Sequence, residues 1–312
     1  MSVTAKGIIA AILSNILFSM MFLYGKLMQP MSGTDIFAWR IVGMFLAMLL
    51  MMTLLSSWGT TLRFFRSVGN NWRKWLLIIL PTPITAGQMW LFMWAPVNGK
   101  GIDVAMGYFL FPLAMMLGGV CVFGERLARL QLLAVTLAAT GVALELWRTG
   151  TFSWATVAVF ATYPIYYLMR RWQKVPALTG LFIDFLLIAP FALGYILLFS
   201  EGGALIAAKP MLLLWIVVLG LHGAVAMQLN LAANGLLPVV LFGMLSYLEP
   251  ALLFVISVVV LGEPLNWATL LSYSFIWAGI AVMMYHSWQS MRRQKMERQR
   301  AAQAEQALQD IS

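Results

Sequence analysis

Long apolar blocks alternate with short polar connections along the whole chain. Each block of about 18–24 residues is long enough to cross ~30 Å of hydrocarbon as a helix rising 1.5 Å per residue. The connections are too short to hold a separate soluble domain. The predicted fold class is therefore an all-α integral membrane protein with about ten transmembrane helices, at approximately 5–24, 35–55, 74–94, 102–123, 128–147, 152–170, 178–199, 211–229, 237–261 and 266–286.

The composition supports this class and excludes several chemistries. Hydrophobic residues make up 62% of the chain and charged residues 10%, whereas a soluble domain carries about 25% charged residues. The chain contains no GxxxxGK[ST] loop, so ATP is not expected to drive it directly. With two histidines and the single Cys121, neither a standard zinc cluster nor a disulfide framework can form. We expect no metal and no cofactor.

Lysine and arginine residues are distributed unequally between alternate connections. Fifteen lie in one set and four in the other, and Arg40 lies within a span. The positive-inside rule then predicts that both termini are cytoplasmic. Short basic clusters beside apolar blocks favour anionic lipid as a partner rather than nucleic acid. The segment 289–312 is predicted to be a basic cytoplasmic tail that lies on the membrane surface.

The chain contains an internal repeat with an offset of 138 residues. Two patterns have the same internal spacing: Pro112 with Gly124 and Glu125, and Pro250 with Gly262 and Glu263. The same offset aligns Gly141 with Gly279. We therefore predict two five-helix halves, 1–148 and 150–288. Because five is odd, the second half enters the membrane inverted relative to the first, as in many secondary transporters with a solute site between the halves.

Three charged residues within predicted spans are the strongest candidates for function, because intramembrane charges need partners or water. Glu249 lies roughly 17 Å along its helix, near the bilayer centre. Pro250 follows it and frees a backbone carbonyl. The Glu249 carboxylate could bind a cationic solute or take up a proton, with a structural ion pair as the alternative.

Arg40 shares a helix face with Gly43 and Ala47, which predicts close packing and an inward direction. It could bind a carboxylate or phosphate or pair with Glu249; snorkelling to the outer interface is the alternative.

Asp184, at an offset of 144 from Arg40, is predicted in the cytoplasmic third, roughly 15 Å from Arg40 in depth. The two are therefore not expected to pair. Asp184 could gate the cavity, relay a proton or accept a structural hydrogen bond.

Weaker candidates are polar residues within spans, each of which either lines a polar cavity or forms an interhelical hydrogen bond: Asn15, Gln88, Tyr108, His222 and Tyr247. Glu125 and Glu263 fall at span ends, where capping or interfacial roles are expected.

Several of these residues resemble a known family. Gly107-Tyr108-Phe109, Pro112, Gly124-Glu125-Arg126-Leu127 and Arg129-Leu130-Gln131 resemble the fourth and fifth spans of the EamA family of the drug/metabolite transporter superfamily. Trp94-Ala95, Asn98, Thr179-Gly180 and Asp184 are similar to its RarD-like subgroup. The resemblance implies ten helices in two inverted halves and export of a small metabolite, amino acid or drug-like compound across the bacterial inner membrane. Phe111 and Glu249 depart from the residues usual in the subgroup.

These observations favour a secondary transporter that works by alternating access. Its expected partners are a small-molecule solute, membrane lipid and a proton as the coupling ion. Two alternatives are an intramembrane enzyme that modifies lipid and a membrane assembly partner without transport. The enzyme would need a catalytic cluster, and His222 has no neighbouring carboxylate in the sequence. We therefore predict that the protein is not an enzyme.

Overall fold

The structure is a computed structural model that describes residues 3–21, 24–150, 153–259 and 267–309. Within these ranges the regular elements are helical. In chain order they are α1 (Val3–Met21), α2 (Tyr24–Leu27), α3 (Gly33–Leu54), α4 (Trp58–Val68), α5 (Trp72–Ile79), α6 (Thr82–Val97), α7 (Gly101–Phe123), α8 (Arg129–Thr149), α9 (Trp154–Val157), a π-helical segment (Ala158–Thr162), α10 (Tyr163–Trp172), α11 (Ala177–Leu198), α12 (Gly202–Ala208), α13 (Met211–Leu236), α14 (Val239–Ser246), α15 (Leu248–Val259) and α16 (Trp267–Gln309).

The all-α membrane class is confirmed, but the number of spans is confirmed only in part. Among the described residues, seven helical stretches are long and apolar enough to cross a membrane: Val3–Met21, Gly33–Leu54, Trp72–Val97, Asp103–Phe123, Arg129–Arg148, Ala177–Leu198 and Met211–Leu236. The other three predicted spans are interrupted or extended. The structure thus supports a multi-span helical protein, and the number of about ten spans stays a prediction.

Prolines account for the interruptions, including that between α5 and α6, where Pro81 precedes α6. The predicted span 152–170 is divided into α9, the π-helical segment and α10, with Pro164 in the first turn of α10. The predicted span 237–261 is divided at Tyr247, and Pro250 stands in the first turn of α15. A proline nitrogen has no hydrogen to donate to the carbonyl four residues earlier, so it fits the start of a helix and not its interior.

The last helix is longer than predicted. α16 was expected to end near residue 286 but continues as one 43-residue helix to Gln309. Its second part is the basic segment predicted as a tail. Glutamine, alanine, glutamate and arginine, which form helices readily, dominate that part of the sequence.

Small residues allow the helices to approach closely. A β-carbon at Gly220 would lie 2.7 Å from the backbone of Gly43, so α3 and α13 cross in backbone contact. The Gly43 face of α3, which Arg40 shares, therefore points to the interior as the sequence predicted.

Helices that correspond under the repeat pack on one another. α3 contacts α11, α7 contacts α14, and α8 contacts α16. At the last contact, a β-carbon at Gly141 would lie 2.6 Å from the Ser272 carbonyl oxygen, and one at Gly279 would lie 2.8 Å from the Ala134 carbonyl oxygen. An offset of 138 relates Ala134 to Ser272 and Gly141 to Gly279, so the two contacts are reciprocal.

Candidate functional site

A small polar cavity of about 50 Å³ lies in the interior, where α1, α3, α6, α7, α10, α13, α14 and α15 converge. Both halves of the chain contribute to it. It brings together five of the eight candidates chosen from the sequence: Asn15, Arg40, Gln88, Tyr108 and Glu249. Its other lining residues are Phe18, Met89, Phe92, Phe111, Tyr163, Tyr167, Met227, Asn230, Ser246 and Pro250.

Arg40 is the buried cation of this cavity. Its side chain is only 3% exposed, so it does not snorkel to the membrane surface. Its Nη2 group donates a long 3.9 Å hydrogen bond to the Met21 sulfur, and the guanidinium lies 6.0 Å from the centre of the Phe92 ring. Within the described residues, Nε and Nη1 have no hydrogen-bond partner. A buried guanidinium with free N–H groups is suited to an anionic ligand.

Glu249 supplies the opposite charge. It lines the cavity with Pro250 at the start of α15, and its backbone carbonyl accepts a hydrogen bond from Ser19 at 3.1 Å. No ion pair within 4.0 Å joins its carboxylate to Arg40 or to another cation in the described chain. An Arg40–Glu249 pair, one of the alternatives considered from the sequence, is therefore not formed in this structure. Phe111, which the repeat aligns with Glu249, also lines the cavity, so the two halves place different chemistry at equivalent positions.

Amide side chains add polar groups that are only half satisfied. Asn15 donates to the Ala11 carbonyl at 2.7 Å and the Leu245 carbonyl at 3.2 Å. Asn230 donates to Ser14 at 3.2 Å. In the described chain, the Oδ1 atoms of Asn15 and Asn230 and the Oε1 atom of Gln88 have no donor. These three acceptors remain available to a ligand or to water.

Gln88 also connects the cavity to the π-helical segment. Its Nε2 group donates to the Ala158 carbonyl at 2.9 Å and to the Thr162 hydroxyl at 3.0 Å. The Thr162 hydroxyl in turn donates to the same Ala158 carbonyl at 2.6 Å. Single π-helical turns are frequent at functional sites, and here a cavity side chain holds one in place.

An aromatic wall of the cavity was missed from the sequence. Tyr163 and Tyr167 stand one turn apart on α10, with ring centres 5.0 Å apart, and Phe111 packs on both at 5.3 and 5.6 Å. The Tyr167 hydroxyl donates to the Tyr163 hydroxyl at 3.1 Å. The tyrosine spacing of four residues, which places both rings on one helix face, was a signal in the sequence that could have found them.

Asp184 lies outside the cavity lining, in a buried ion pair and hydrogen-bond network with Arg170, of which only the Arg170 Nε atom has no partner in the described chain. The two side chains, 0% and 1% exposed, form an ion pair. Asp184 also accepts hydrogen bonds from Thr82 at 2.6 Å and Tyr166 at 2.9 Å, while Arg170 donates to the Ile78 carbonyl at 2.8 Å. Arg40 and Asp184 do not pair with each other, as expected. The charge count from the sequence included Arg170 among the fifteen basic residues of the connections. That assignment was wrong, because Arg170 is buried among three helices.

His222 and Tyr247 also lie outside the cavity lining. The His222 ring contacts the Tyr24 hydroxyl at 3.2 Å and the Leu17 carbonyl at 2.8 Å. Tyr247 is fully buried, and its hydroxyl has no hydrogen-bond partner in the described chain. Neither of these two contacts involves a carboxylate, which the lipid-modifying alternative would need beside His222.

The repeat motif has a structural role in the first half. Gly124 ends α7 with φ +64°, a conformation that glycine adopts at low cost. The carboxylate of the next residue, Glu125, accepts hydrogen bonds from the backbone N–H groups of Val239 at 2.6 Å and Val240 at 2.9 Å, at the N-terminus of α14. Pro112 lies inside α7. Gly262 and Glu263 lie outside the described residues.

The arrangement can bind a solute but has no group of metal ligands. In the ranges that the structure describes, no cluster of three or more histidine, cysteine, aspartate or glutamate residues could hold a metal ion. Within the residues that the structure describes, the cavity offers a guanidinium and a carboxylate that form no ion pair, together with amide oxygens and aromatic faces. Its present volume is far below the roughly 300–1,000 Å³ of pockets that hold drug-sized ligands, so a larger solute requires the surrounding helices to separate.

Sequence comparison finds relatives that match most of the chain, some of them named as transporters. An uncharacterized transporter of Haemophilus influenzae is 42% identical over 290 residues, which cover 91% of this chain and 95% of that protein. The chloramphenicol-sensitive protein RarD of Pseudomonas aeruginosa is 34% identical over 94% of this chain and 98% of its own length. Protein RarD of Escherichia coli is 25% identical over 93% of this chain and 97% of its own.

The fold of this chain is similar to that of a solved crystal structure. The TM-score is 0.65, the match covers 89% of this chain and 98% of the other chain, and the sequences are 19% identical. At that identity the likeness concerns the fold alone. No protein-family model matches the chain.

Proposed function

The chain belongs to the RarD-like transporters of the EamA family, as its sequence resemblance indicated, and on that premise we propose that this multi-pass membrane transporter is a secondary exporter of a small solute with both an anionic and a cationic group. The two five-helix halves alternately open the central cavity to each side of the bacterial inner membrane. Both termini lie in the cytoplasm. Amino acids and small zwitterionic metabolites have the required chemistry.

The observation that carries this proposal is the pair of unpaired, opposite charges in one cavity. Burying a charge without a partner is costly, and an ion pair between the two would reduce that cost. Arg40 and Glu249 nevertheless stand in the same cavity without forming one. A solute that places its carboxylate at Arg40 and its ammonium at Glu249 satisfies both groups, while Tyr163, Tyr167 and Phe92 contact its apolar part.

The reciprocal helix contacts support alternating access. Contacts between corresponding helices, including those at Gly141 and Gly279, are what a pseudo-two-fold axis between inverted halves produces. In transporters with this symmetry, each half can adopt the conformation of the other. One combination of conformations opens the site to one side of the membrane, and the exchanged combination opens it to the other side. The site lies where the halves meet, as that mechanism requires.

Proton coupling is assigned to Glu249 rather than Asp184. Glu249 faces the cavity and has no ion-pair partner among the described residues, whereas three side chains already bind the Asp184 carboxylate. A proton and a cationic solute group can therefore compete for the carboxylate of Glu249 but not for that of Asp184. This competition couples solute movement to the proton gradient.

The proposal is tested by measuring secreted metabolites by mass spectrometry in cells that express the intact protein, its Glu249→Gln variant or the matched Glu201→Gln variant. Glu201 is exposed and lies beside the short helix α12, so its substitution makes the same chemical change outside the cavity. A solute enriched outside cells with the intact and Glu201→Gln proteins, but not with Glu249→Gln, supports the proposal. Equal secretion by all three proteins contradicts it.

A further inference from the structure

The helix α10 forms a short arm that contributes two tyrosines to the cavity and carries two neighbouring arginines beyond them. α10 begins at Tyr163, whose side chain lines the cavity, and Arg170 lies about 10 Å further along the helix. Arg170 and Arg171 point to different neighbours, so each can hold the arm to a different part of the protein.

Arg170 attaches the arm to helices of both halves. Its guanidinium pairs with Asp184 on α11 and donates to the Ile78 carbonyl at the end of α5. Asp184 is bound at the same time by Thr82 of α6. Four helices are thus joined by one buried ion pair and its hydrogen bonds.

Arg171 attaches the opposite side of the arm. Its Nη1 group donates to the backbone carbonyls of Asn234 and Leu237, at the junction of α13 and α14. The Asn234 amide donates in return to the Tyr167 carbonyl at 3.1 Å. Glu125 lies 4.0 Å from Arg171, so the cap of α14 belongs to the same group of contacts.

The other end of the arm carries a natural hinge. The π-helical segment and Pro164 interrupt the α-helical ladder between α9 and α10. Gln88, a cavity side chain, holds this segment through Ala158 and Thr162. Interruptions of this kind are where helices bend.

The contacts between α2 and α13 are of a different kind. There, Tyr24 and His222 meet through a 3.2 Å hydrogen bond and an edge-to-face ring contact. Tyr24 also packs edge-on against Trp215. These contacts are neutral hydrogen bonds and ring packing rather than buried ion pairs.

From these observations we propose that α10 is the cytoplasmic gate, hinged at Ala158–Pro164 and held shut by Arg170 on Asp184 and by Arg171 on the α13–α14 junction. This inference rests on the alternating-access function proposed above. A solute that contacts Tyr163 and Tyr167 touches the arm directly, so its arrival and the release of the arginine contacts are mechanically linked. The residues Arg170, Arg171 and Asp184 act on transport without touching the solute.

The gate is tested by the accessibility of a cysteine placed in the cavity. Ser246 lines the cavity, and Ser246→Cys in a Cys121→Ser background is the single reporter. The rate of its modification by a membrane-impermeant maleimide is measured from the cytoplasmic face in inside-out vesicles and from the opposite face in right-side-out vesicles. Two control variants carry a single cysteine at exposed Asn98 or Arg126. Their labelling shows which end of the protein faces the cytoplasm, so an error in the assumed membrane orientation is detected separately.

The expected result is a selective opening towards the cytoplasm. Arg170→Gln should raise the labelling rate from the cytoplasmic face by about tenfold or more, because it breaks a buried ion pair, and should not raise it from the other face. The double variant Arg170→Gln with Asp184→Asn avoids an unpaired buried carboxylate and should open the same face if the single variant fails to fold. Arg148→Gln, which breaks the Arg148–Glu145 pair elsewhere, should leave both rates unchanged.

Two results would overturn the gate. One is an unchanged cytoplasmic rate in a folded Arg170 variant or in the double variant. The other is an equal rise from both faces, which would show that the ion pair only holds the fold together. Because the assay needs no solute, it can fail while secretion of a metabolite still supports the transport function.

Discussion

Two buried charge clusters in this protein are built in opposite ways. Asp184 has an ion pair and two further hydrogen bonds, and all its contacts come from the protein. Arg40 is as deeply buried, yet its guanidinium has a weak sulfur contact and two donor nitrogens without partners in the described chain. We call the first the satisfied cluster, in which only the Arg170 Nε atom has no partner in the described chain, and the second the unsatisfied cluster. How fully the charged groups are paired, rather than how deeply they are buried, distinguishes the proposed gate from the proposed binding site.

The largest expected effect is on stability at the satisfied cluster. Asp184→Leu leaves Arg170 charged and buried, which should lower the free energy of unfolding by about 3–5 kcal/mol. Adding Arg170→Met should restore most of this loss, since replacing both members of a buried ion pair is often nearly neutral. Chemical unfolding in detergent micelles measures both values. Glu249→Gln serves as the comparison and should change the free energy by far less; a comparable loss there would remove the distinction between the clusters.

The next largest effect is on solute affinity at the unsatisfied cluster. Arg40→Gln and Glu249→Gln should each weaken binding by about 10–100-fold, because a hydrogen bond to a charged group contributes about 1.5–3 kcal/mol. Isothermal titration with the solute identified from secretion measures this change. The thermal midpoints of both variants should stay close to that of the intact protein. Unchanged affinity in both variants would show that the charges serve another purpose.

A third effect concerns pH. Solute binding to the intact protein should fall on acidification, because a protonated Glu249 is neutral and no longer attracts an ammonium group. Glu249→Gln should bind weakly and equally at all pH values, whereas the double variant Arg170→Gln with Asp184→Asn should keep the pH dependence of the intact protein. Binding measured between mildly acidic and mildly alkaline pH separates these cases. A pH dependence that persists without Glu249 would place the titrating group elsewhere.

The smallest effect is expected where the two clusters are connected. Gln88→Met removes the hydrogen bonds that hold Ala158 and Thr162 and should lower the free energy of unfolding by about 1 kcal/mol. Gln131→Met is a matched change at the exposed N-terminus of α8, where Gln131 accepts a hydrogen bond from the Ala128 N–H. If the hinge matters for gating, only Gln88→Met should also change the labelling rate of the cavity cysteine. Equal effects of both substitutions would reduce Gln88 to an ordinary structural residue.

The sequence predicted the membrane-spanning class, the family and the main polar residues of the cavity. Hydrophobic length is a property of each segment by itself, so the seven candidate spans were largely visible. Arg40, Glu249, Asn15, Gln88 and Tyr108 were found because polar side chains stand out in apolar blocks. The resemblance to the EamA family is confirmed by the relatives that match most of the chain.

What the sequence did not predict depends on which helices meet. Arg170 stands at the end of a span, where basic residues normally face the cytoplasm, and only the positions of α5, α6 and α11 make it a buried partner of Asp184. Tyr163 and Tyr167 look like ordinary interfacial aromatics until α7 and α10 are brought together.

The cap that Glu125 provides has a consequence for how the chain is made. Its carboxylate accepts from Val239 and Val240, residues that follow it by 114 and 115 positions. During synthesis the first half is already in the membrane when α14 emerges. We therefore expect the start of α14 to gain these two hydrogen bonds from a segment that was inserted earlier.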